Sequence, residues 1–259
     1  MADETGEAAL ERALDEKESL VLLYQPIHDS RTREIWAAEA LLRQRREDGE
    51  LREASIIHEA AEDSDGPEEL FKLDHFLVQK AYVDAAGWQA THPDVRLNVN
   101  LSPREFQEGK VLDRLTRLLT SCGATPTRVN LEITETSYIE NPEETMEVLY
   151  AIRKLGIRLW LDDFGTGHSA LTHLQHFPVD GLKLPGAFVQ PLPEDERCRA
   201  IVKSITTLAH DLDMQIIAEE VERQEQLDYL LDLGCEYIQG FFFSRPMEVE
   251  RFEGLLSGG

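Results

Sequence analysis

Two adjacent carboxylates, Asp162 and Asp163, follow the apolar run 157–161 and stand directly before Phe164-Gly165-Thr166-Gly167. A short apolar run bounded by turn residues reads as a buried strand. Acids at the end of such a strand are costly to desolvate unless they are paired or hold a cation. The glycines let the chain turn sharply and let a ligand approach the backbone. The stretch therefore points to a divalent-cation site at the C-terminal end of a buried strand.

Other polar residues recur at comparable places. Glu39 lies within 34–43 (EIWAAEALLR), Asn100 within 95–101 (VRLNVNL) and Glu132 within 128–134 (RVNLEIT), with Glu135 just beyond. Lys183 lies within 179–184 (VDGLKL), Glu219 and Glu220 follow 215–218 (QIIA), and Gln239 ends 236–239 (EYIQ). Strand side chains alternate, so Glu132 faces away from Leu131 and Ile133, while Asn98 and Asn100 share a face. Carboxylates and an amide are oxygen donors, which suit hard cations such as Mg²⁺ or Mn²⁺. No His or Cys stands at these positions, which argues against a zinc site of the usual kind. Neighbouring carboxylates such as Asp162 and Asp163 can bridge two cations about 3.5–4 Å apart, the arrangement of two-metal phosphoester cleavage. Lys183 is suited to orient water or to offset charge on a phosphoryl oxygen.

Holding these groups together takes a repeating scaffold. Residues 20–27 (LVLLYQPI) and 34–43 read as a β-hairpin across the turn 29–32, and 44–53 reads as a polar loop. Helices are expected at 3–18, 54–61 and 68–88. Strands and helices then alternate: strands at 95–101, 128–134, 157–162, 179–184, 215–218 and 236–239, and helices at 103–120, 142–155, 169–176, 195–212, 224–233 and 249–256. Eight strands, the last seven alternating with helices, predict an α/β fold of the TIM-type (β/α)8 barrel class. A doubly wound open sheet is the structural alternative. In such a barrel, chemistry gathers where strands end and βα loops begin. Residues 1–18 read as a helical lead-in and 19–259 as one domain, with no composition break marking a linker.

A net charge of −24, from 50 acids and 26 bases, argues against binding polymeric nucleic acid through a basic face or docking on an anionic membrane. A small phosphate ligand stays compatible if cations supply positive charge. Cys122, Cys198 and Cys235 show no disulfide framework and are expected as reduced thiols. No apolar run approaches the roughly 20 residues of a membrane helix, and the acidic start lacks the pattern of a signal peptide. A cytoplasmic location is expected.

With these residues in view, the chain resembles the EAL domain family, bacterial phosphodiesterases that open cyclic di-GMP. The matching stretches are Tyr24-Gln25-Pro26-Ile27, Glu39-Ala40-Leu41-Leu42-Arg43, Asn98-Val99-Asn100-Leu101-Ser102 and Leu131-Glu132-Ile133-Thr134-Glu135. They continue with Asp162-Asp163-Phe164-Gly165-Thr166-Gly167, Lys183, Ala218-Glu219, Val221-Glu222, Gln239-Gly240-Phe241 and Ser244-Arg245-Pro246. The resemblance implies a barrel whose first strand is antiparallel. It also implies hydrolysis of cyclic di-GMP to linear 5'-pGpG by a two-metal mechanism, with Mg²⁺ or Mn²⁺ required, Ca²⁺ inhibitory, and a homodimer. Carried over by position, it makes Glu39, Asn100, Glu132 and Asp162 ligands of one metal. Asp162 is shared with a second metal that also meets Asp163, and Glu219 lies near that metal or its water. Lys183 contacts the attacking water, and Glu39, Lys183 and Glu219 are the catalytic set. Gln25, Leu41 and Arg43 hold the ligand, together with Asn100, Asp163 and Gln239. Glu135 anchors the loop 164–169, which in this family couples dimerisation to metal binding.

The chain departs from the family pattern near the site. Pro185 stands where the family has Asp, Glu220 where it has Gly, and His168-Ser169-Ala170 where it has an aromatic residue and two serines. His168 reads as a loop residue replacing the aromatic and not as a metal ligand. The departures spare every direct ligand position. They sustain an alternative, a weakly active or inactive EAL domain that acts as a cyclic di-GMP receptor. A barrel enzyme acting on another phosphoester is a third reading, against which Arg43 and Gln239 weigh.

Overall fold

The computed structural model describes residues 20–45, 49–53, 68–101, 111–134, 142–166, 174 and 177–258. The expected helices at 3–18 and 54–61, the start of the helix at 103–120 and most of that at 169–176 lie outside the described residues.

The chain begins its described course with the expected hairpin, β1 (Leu20–Asp29) and β2 (Ile35–Arg45). The Asp29 carboxylate closes the turn by accepting from the backbone N–H groups of Arg31 and Thr32 at 2.9 and 2.8 Å. The remaining strands are β3 (Leu51–Glu53), β4 (Arg96–Asn100), β5 (Val129–Thr134), β6 (Arg158–Asp162), β7 (Gly181–Leu184), β8 (Gln215–Ala218) and β9 (Tyr237–Gln239). Around the sheet the order is β1-β9-β8-β7-β6-β5-β4-β2, and β1 pairs with β2 to close the ring. Every neighbouring pair from β2–β4 round to β8–β9 is parallel, whereas β1 runs antiparallel to both β2 and β9. This is a TIM-type (β/α)8 barrel with an antiparallel first strand. Ring closure rules out the open doubly wound sheet.

One expectation fails. The stretch 44–53, read as a polar loop, contains β3, which pairs with the overhanging end of β2 through Arg43–Glu53 and Arg45–Leu51. It lies outside the ring, where no core face imposes an apolar pattern, so period-2 hydrophobicity could not reveal it.

The helices described are α1 (Glu68–Thr91), α2 (Val111–Cys122), α3 (Pro142–Lys154), α4 (Gly186–Val189), α5 (Glu196–Asp211), α6 (Gln224–Leu233) and α7 (Val249–Leu256). Their boundaries follow local chemistry. The Asp195 side chain caps α5 by accepting from Arg197 N and Cys198 N, and Gly234 ends α6 in the left-handed conformation. Helix α2 buries Val111, Leu115, Leu118 and Leu119, one face of a 3.6-residue period. The single turn α4 was not expected. No helix among the described residues is long and apolar enough to cross a membrane. Cys122, Cys198 and Cys235 are free thiols.

The outward faces of the strands, with residues such as Leu97, Leu131, Leu159 and Ile216, pack under the helices. The inward faces build a different core. Ile27, Ala37, Trp160, Ile217 and Tyr237 plug the lower barrel, with Trp36 stacked on Tyr237 at 3.8 Å between ring centroids. Gly181 makes room for this plug: a Cβ there would lie 2.3 Å from the Trp160 ring. One step further along the strands the inward residues become polar, so the plug is the floor of the site.

Candidate functional site

The pairing register carries the polar residues to one level. Asn100 lies opposite Glu132, Thr134 opposite Asp162, and Gln239 opposite Ile27 beside the β1–β2 hairpin, where Gln25 pairs with Glu39. Alternation then turns Glu39, Asn100, Glu132, Asp162, Lys183, Glu219, Gln239 and Gln25 toward the barrel mouth.

Lys183 is the hub. Its Nζ is 2.7 Å from Glu219 Oε1, 2.9 Å from Glu132 Oε2, 3.2 Å from Asp162 Oδ1 and 3.4 Å from Glu39 Oε1. Its side chain is only 1 % exposed. Gln239 Nε2 donates to the other oxygen of Glu39 at 2.6 Å and reaches Gln25 Oε1 at 3.4 Å.

Four carboxyl groups around one ammonium carry excess negative charge. Burial pushes Glu132 well above the usual carboxylate range, and the neighbouring Glu39 charge adds to this against the pull of Lys183. Burial also raises Asp162, opposed by Lys183 and helped by Glu39 and Asp163. Burial pushes Glu219 up to about 8, again against Lys183. Glu39 behaves oppositely. Burial would raise it, but the Lys183 charge and the hydrogen bonds from Gln239 and Lys183 outweigh that and hold it low. Lys183 is raised well above its ordinary value, because the surrounding acids overcome the burial that would lower it.

The next residues complete an acidic rim. Asp163 has φ 51°, a left-handed conformation, and its N–H donates to Asp162 Oδ1 at 2.9 Å. Donor oxygens of Asp162, Asp163 and Glu219 all lie within 4.8 Å of one another. The donor set is oxygen only and the acids are crowded enough to hold protons, so positive charge delivered by hard cations fits the site. A cleft of about 420 Å³ opens beside it, lined by Gln25, Glu39, Leu41, Arg43, Glu219 and Gln239, together with Glu220, Glu222, Gly240, Phe241 and Pro246. Gly240 is required by close approach, since a Cβ there would fall 2.1 Å from the carbonyl oxygen of Val221.

Of the residues expected from the sequence, Gln25, Glu39, Leu41, Arg43, Glu219 and Gln239 line the cleft, Glu132, Asp162 and Lys183 meet beside it, and Asp163 adjoins Asp162 and Glu219. Asn100 is placed by its pairing with Glu132, and Glu135 lies outside the described residues with His168, Ser169 and Ala170. The structure also adds residues the sequence reading did not assign. Asn98 donates to Glu132 Oε1 at 2.6 Å and Asn130 donates to Asn98 at 2.7 Å, both within the barrel. The shared face of Asn98 and Asn100 was a signal for the first, but only the β4–β5 register reveals the second. At the cleft edge, Arg245 lies over the Phe241 ring at 4.1 Å.

One departure from the family pattern, Glu220, reaches the residue that follows another, Pro185. A Cβ on Gly186, the residue after Pro185, would lie 2.1 Å from Glu220 Oε2, so the Glu220 carboxylate rests directly on that glycine. Glu220 itself is left-handed at φ 52°, and its carbonyl accepts from Gln190 Nε2 at 2.7 Å.

The family model described as "EAL domain" matches residues 7–246. The chain belongs to the EAL domain family. As an EAL domain it is 32 % identical over 251 residues to the cyclic di-GMP phosphodiesterase NbdA of Pseudomonas aeruginosa, covering 96 % of this chain and 32 % of that protein. It is 32 % identical over 245 residues to the cyclic di-GMP phosphodiesterase PdeR of Escherichia coli, covering 94 % of this chain and 36 % of the relative. It is 33 % identical over 238 residues to the signaling protein YkoW of Bacillus subtilis, with 92 % and 29 % covered. The EAL domain therefore spans about a third of the length of these relatives. Among solved structures, the PaMucR phosphodiesterase in complex with c-di-GMP superposes with a TM-score of 0.86 at 29 % identity, covering 96 % of this chain and 100 % of that one. The EAL enzyme Bd1971, in its cAMP- and cyclic-di-GMP-bound form, gives a TM-score of 0.89 at 27 % identity, with 97 % and 68 % covered.

Proposed function

We propose that this EAL domain, formed by residues 19–259, hydrolyses one phosphodiester bond of cyclic di-GMP to give linear 5'-pGpG. The observation that carries the reading is the convergence of Glu39, Glu132, Asp162 and Glu219 on Lys183 at the mouth of the barrel. The names of the relatives NbdA and PdeR support the choice of substrate.

In this reading Glu39, Asn100, Glu132 and Asp162 would hold one Mg²⁺ or Mn²⁺ ion, and Asp162, Asp163 and Glu219 would hold a second. Such ions supply Lewis acidity to the phosphoryl oxygens and activate water for in-line attack. The chain's own groups do the rest. Lys183, fixed by the acids, is placed to donate to the attacking water or a phosphoryl oxygen. Gln239 and Lys183 keep Glu39 in its ionised, donor-ready form. Gln25, Leu41 and Arg43 line the β1–β2 wall of the cleft and hold the nucleotide, with Asn100, Asp163 and Gln239 contributing from the site itself. Ca²⁺ prefers more ligands at longer distances than Mg²⁺, so it should bind and inhibit. Glu135 anchoring the loop 164–169, and a homodimer, complete the proposal.

A second reading is favoured by Glu220, an acid that lines the cleft and whose carboxylate rests on Gly186 beside Pro185. It makes the chain a receptor that binds cyclic di-GMP with little or no turnover. Incubation with cyclic di-GMP and Mn²⁺, followed by chromatography for pGpG, separates the two. Product that disappears in Glu39→Ala supports hydrolysis. Tight binding without product supports the receptor, and undiminished turnover in Glu39→Ala sinks the site assignment.

A further inference from the structure

Beneath the carboxylates lies a short line of hydrogen bonds that serves no fold-wide need. Asn130 Nδ2 donates to Asn98 Oδ1 at 2.7 Å, and Asn98 Nδ2 donates to Glu132 Oε1 at 2.6 Å. The other oxygen of Glu132 accepts from Lys183 at 2.9 Å. Asn98, Asn130 and Glu132 are all 0 % exposed. The sheet register makes the line: Asn98 sits across from Glu39 on β2 and from Asn130 on β5, and Asn100 sits across from Glu132.

Two amides buried in a barrel are costly unless bonded, and inward positions elsewhere in the plug are filled by Ile27, Ala37 and Ile217. Packing alone would be served as well by apolar residues at 98 and 130. What the amides add is direction. A carboxylate serving as a cation ligand only accepts, so Asn98 must offer Glu132 its NH₂ and turn its carbonyl to Asn130. Asn130 must then offer its own NH₂, and its Oδ1 is left buried without a hydrogen-bond partner among the described residues. The line tolerates this loose end at the far side from the site while every bond toward Glu132 is made.

We infer that Asn98 and Asn130 are positioning residues. They act in series to hold Glu132 by one oxygen, so that the other is presented to Lys183 and the cation. The inference rests on the reading of Glu132 as a cation ligand. Outer groups that orient a ligand commonly govern about 10–100-fold in metal affinity.

The test is Mn²⁺ affinity, measured by titration calorimetry or paramagnetic resonance without nucleotide, for Asn98→Leu, Asn130→Leu, the double variant and Glu132→Gln. Unfolding in EDTA is measured alongside. The expected result is a loss of about tenfold or more for Asn98→Leu, a smaller loss for Asn130→Leu, and a double variant no worse than Asn98→Leu, because groups in series are not additive. Melting in EDTA should not fall in step with affinity. Additive losses that track lower melting temperatures would overturn the inference by reducing both residues to packing. If Glu132→Gln weakens Mn²⁺ but Asn98→Leu does not, the inference fails while the ligand reading stands. If Glu132→Gln binds Mn²⁺ as the parent does, the ligand reading itself fails and takes the inference with it. Should Asn98→Leu not fold, Asn130→Leu, at the far end of the line, decides alone.

Discussion

Lys183 and Glu132 meet at 2.9 Å with side chains 1 % and 0 % exposed. Three further acids crowd the same ammonium, so this lysine offsets charge from all four carboxyl groups at once. Breaking one side of a buried pair costs about 3–5 kcal/mol, because the partner is left charged and alone. Lys183→Met should therefore unfold at much lower urea in EDTA at pH 8. At pH 5 the raised acids take up protons, and most of the loss should vanish. An equal loss at both pH values would show that Lys183 acts by packing and not by charge.

Glu219 gives a second pH dependence with a definite sign. Burial raises its carboxyl from 4.5 to about 8, with Lys183 opposing and Asp162 and Glu39 adding to the rise. A raised folded value means stability that is full below 4.5 and is lost as pH climbs through about 8. Cation binding requires the ionised form, so Mn²⁺ affinity should climb with pH and level off above about 8. Calorimetry at pH 7 in two buffers of different ionisation enthalpy should detect proton release, which should be gone by pH 9. Affinity that stays flat from pH 6 to 9 would contradict this.

Much of this was legible in the sequence, for a physical reason. Asp162, Glu132 and Lys183 end or nearly end apolar strands, where an isolated charge would be expensive, so their type and place announce a site. The barrel was legible because each strand–helix pair repeats a change of period. Residues whose role depends on a neighbour across the sheet were not legible. Asn130 looks like any polar strand residue until the register sets it against Asn98. The contact of Glu220 with Gly186 joins a residue after β8 to the first residue of α4 and has no sequence pattern. Strand β3 escaped because it pairs outside the core.

Gly181 tests the floor of the site. An added Cβ would lie 2.3 Å from the Trp160 ring and 2.6 Å from the backbone oxygen of Gln215. The ring can shift, but the strand cannot do so without breaking pairing with β8. Gly181→Ala should destabilise by about 1–3 kcal/mol or more, as overpacked cores do. Adding Trp160→Leu should recover part of the loss and leave the rest, which belongs to Gln215. Full recovery in urea unfolding would place the whole clash in the side chain.

Glu220 holds φ 52° and adds a negative charge to the cleft. The left-handed conformation costs a non-glycine residue about 1–2 kcal/mol, while glycine costs about 0.4–1 kcal/mol through the unfolded chain. Glu220→Gly should therefore change stability little. Its effect on ligand should be larger, because cyclic di-GMP is a dianion and the cleft would lose a like charge. In a Glu39→Ala background, chosen because the proposed function expects no turnover there, Glu220→Gly should tighten cyclic di-GMP binding several-fold at low salt. The gain should shrink as salt rises from about 20 to 200 mM, where the screening length falls below roughly 10 Å. A gain that persists unchanged at high salt would point to altered cleft shape and not to charge, and weaker binding would mean that the Glu220 carboxylate contributes to holding the ligand.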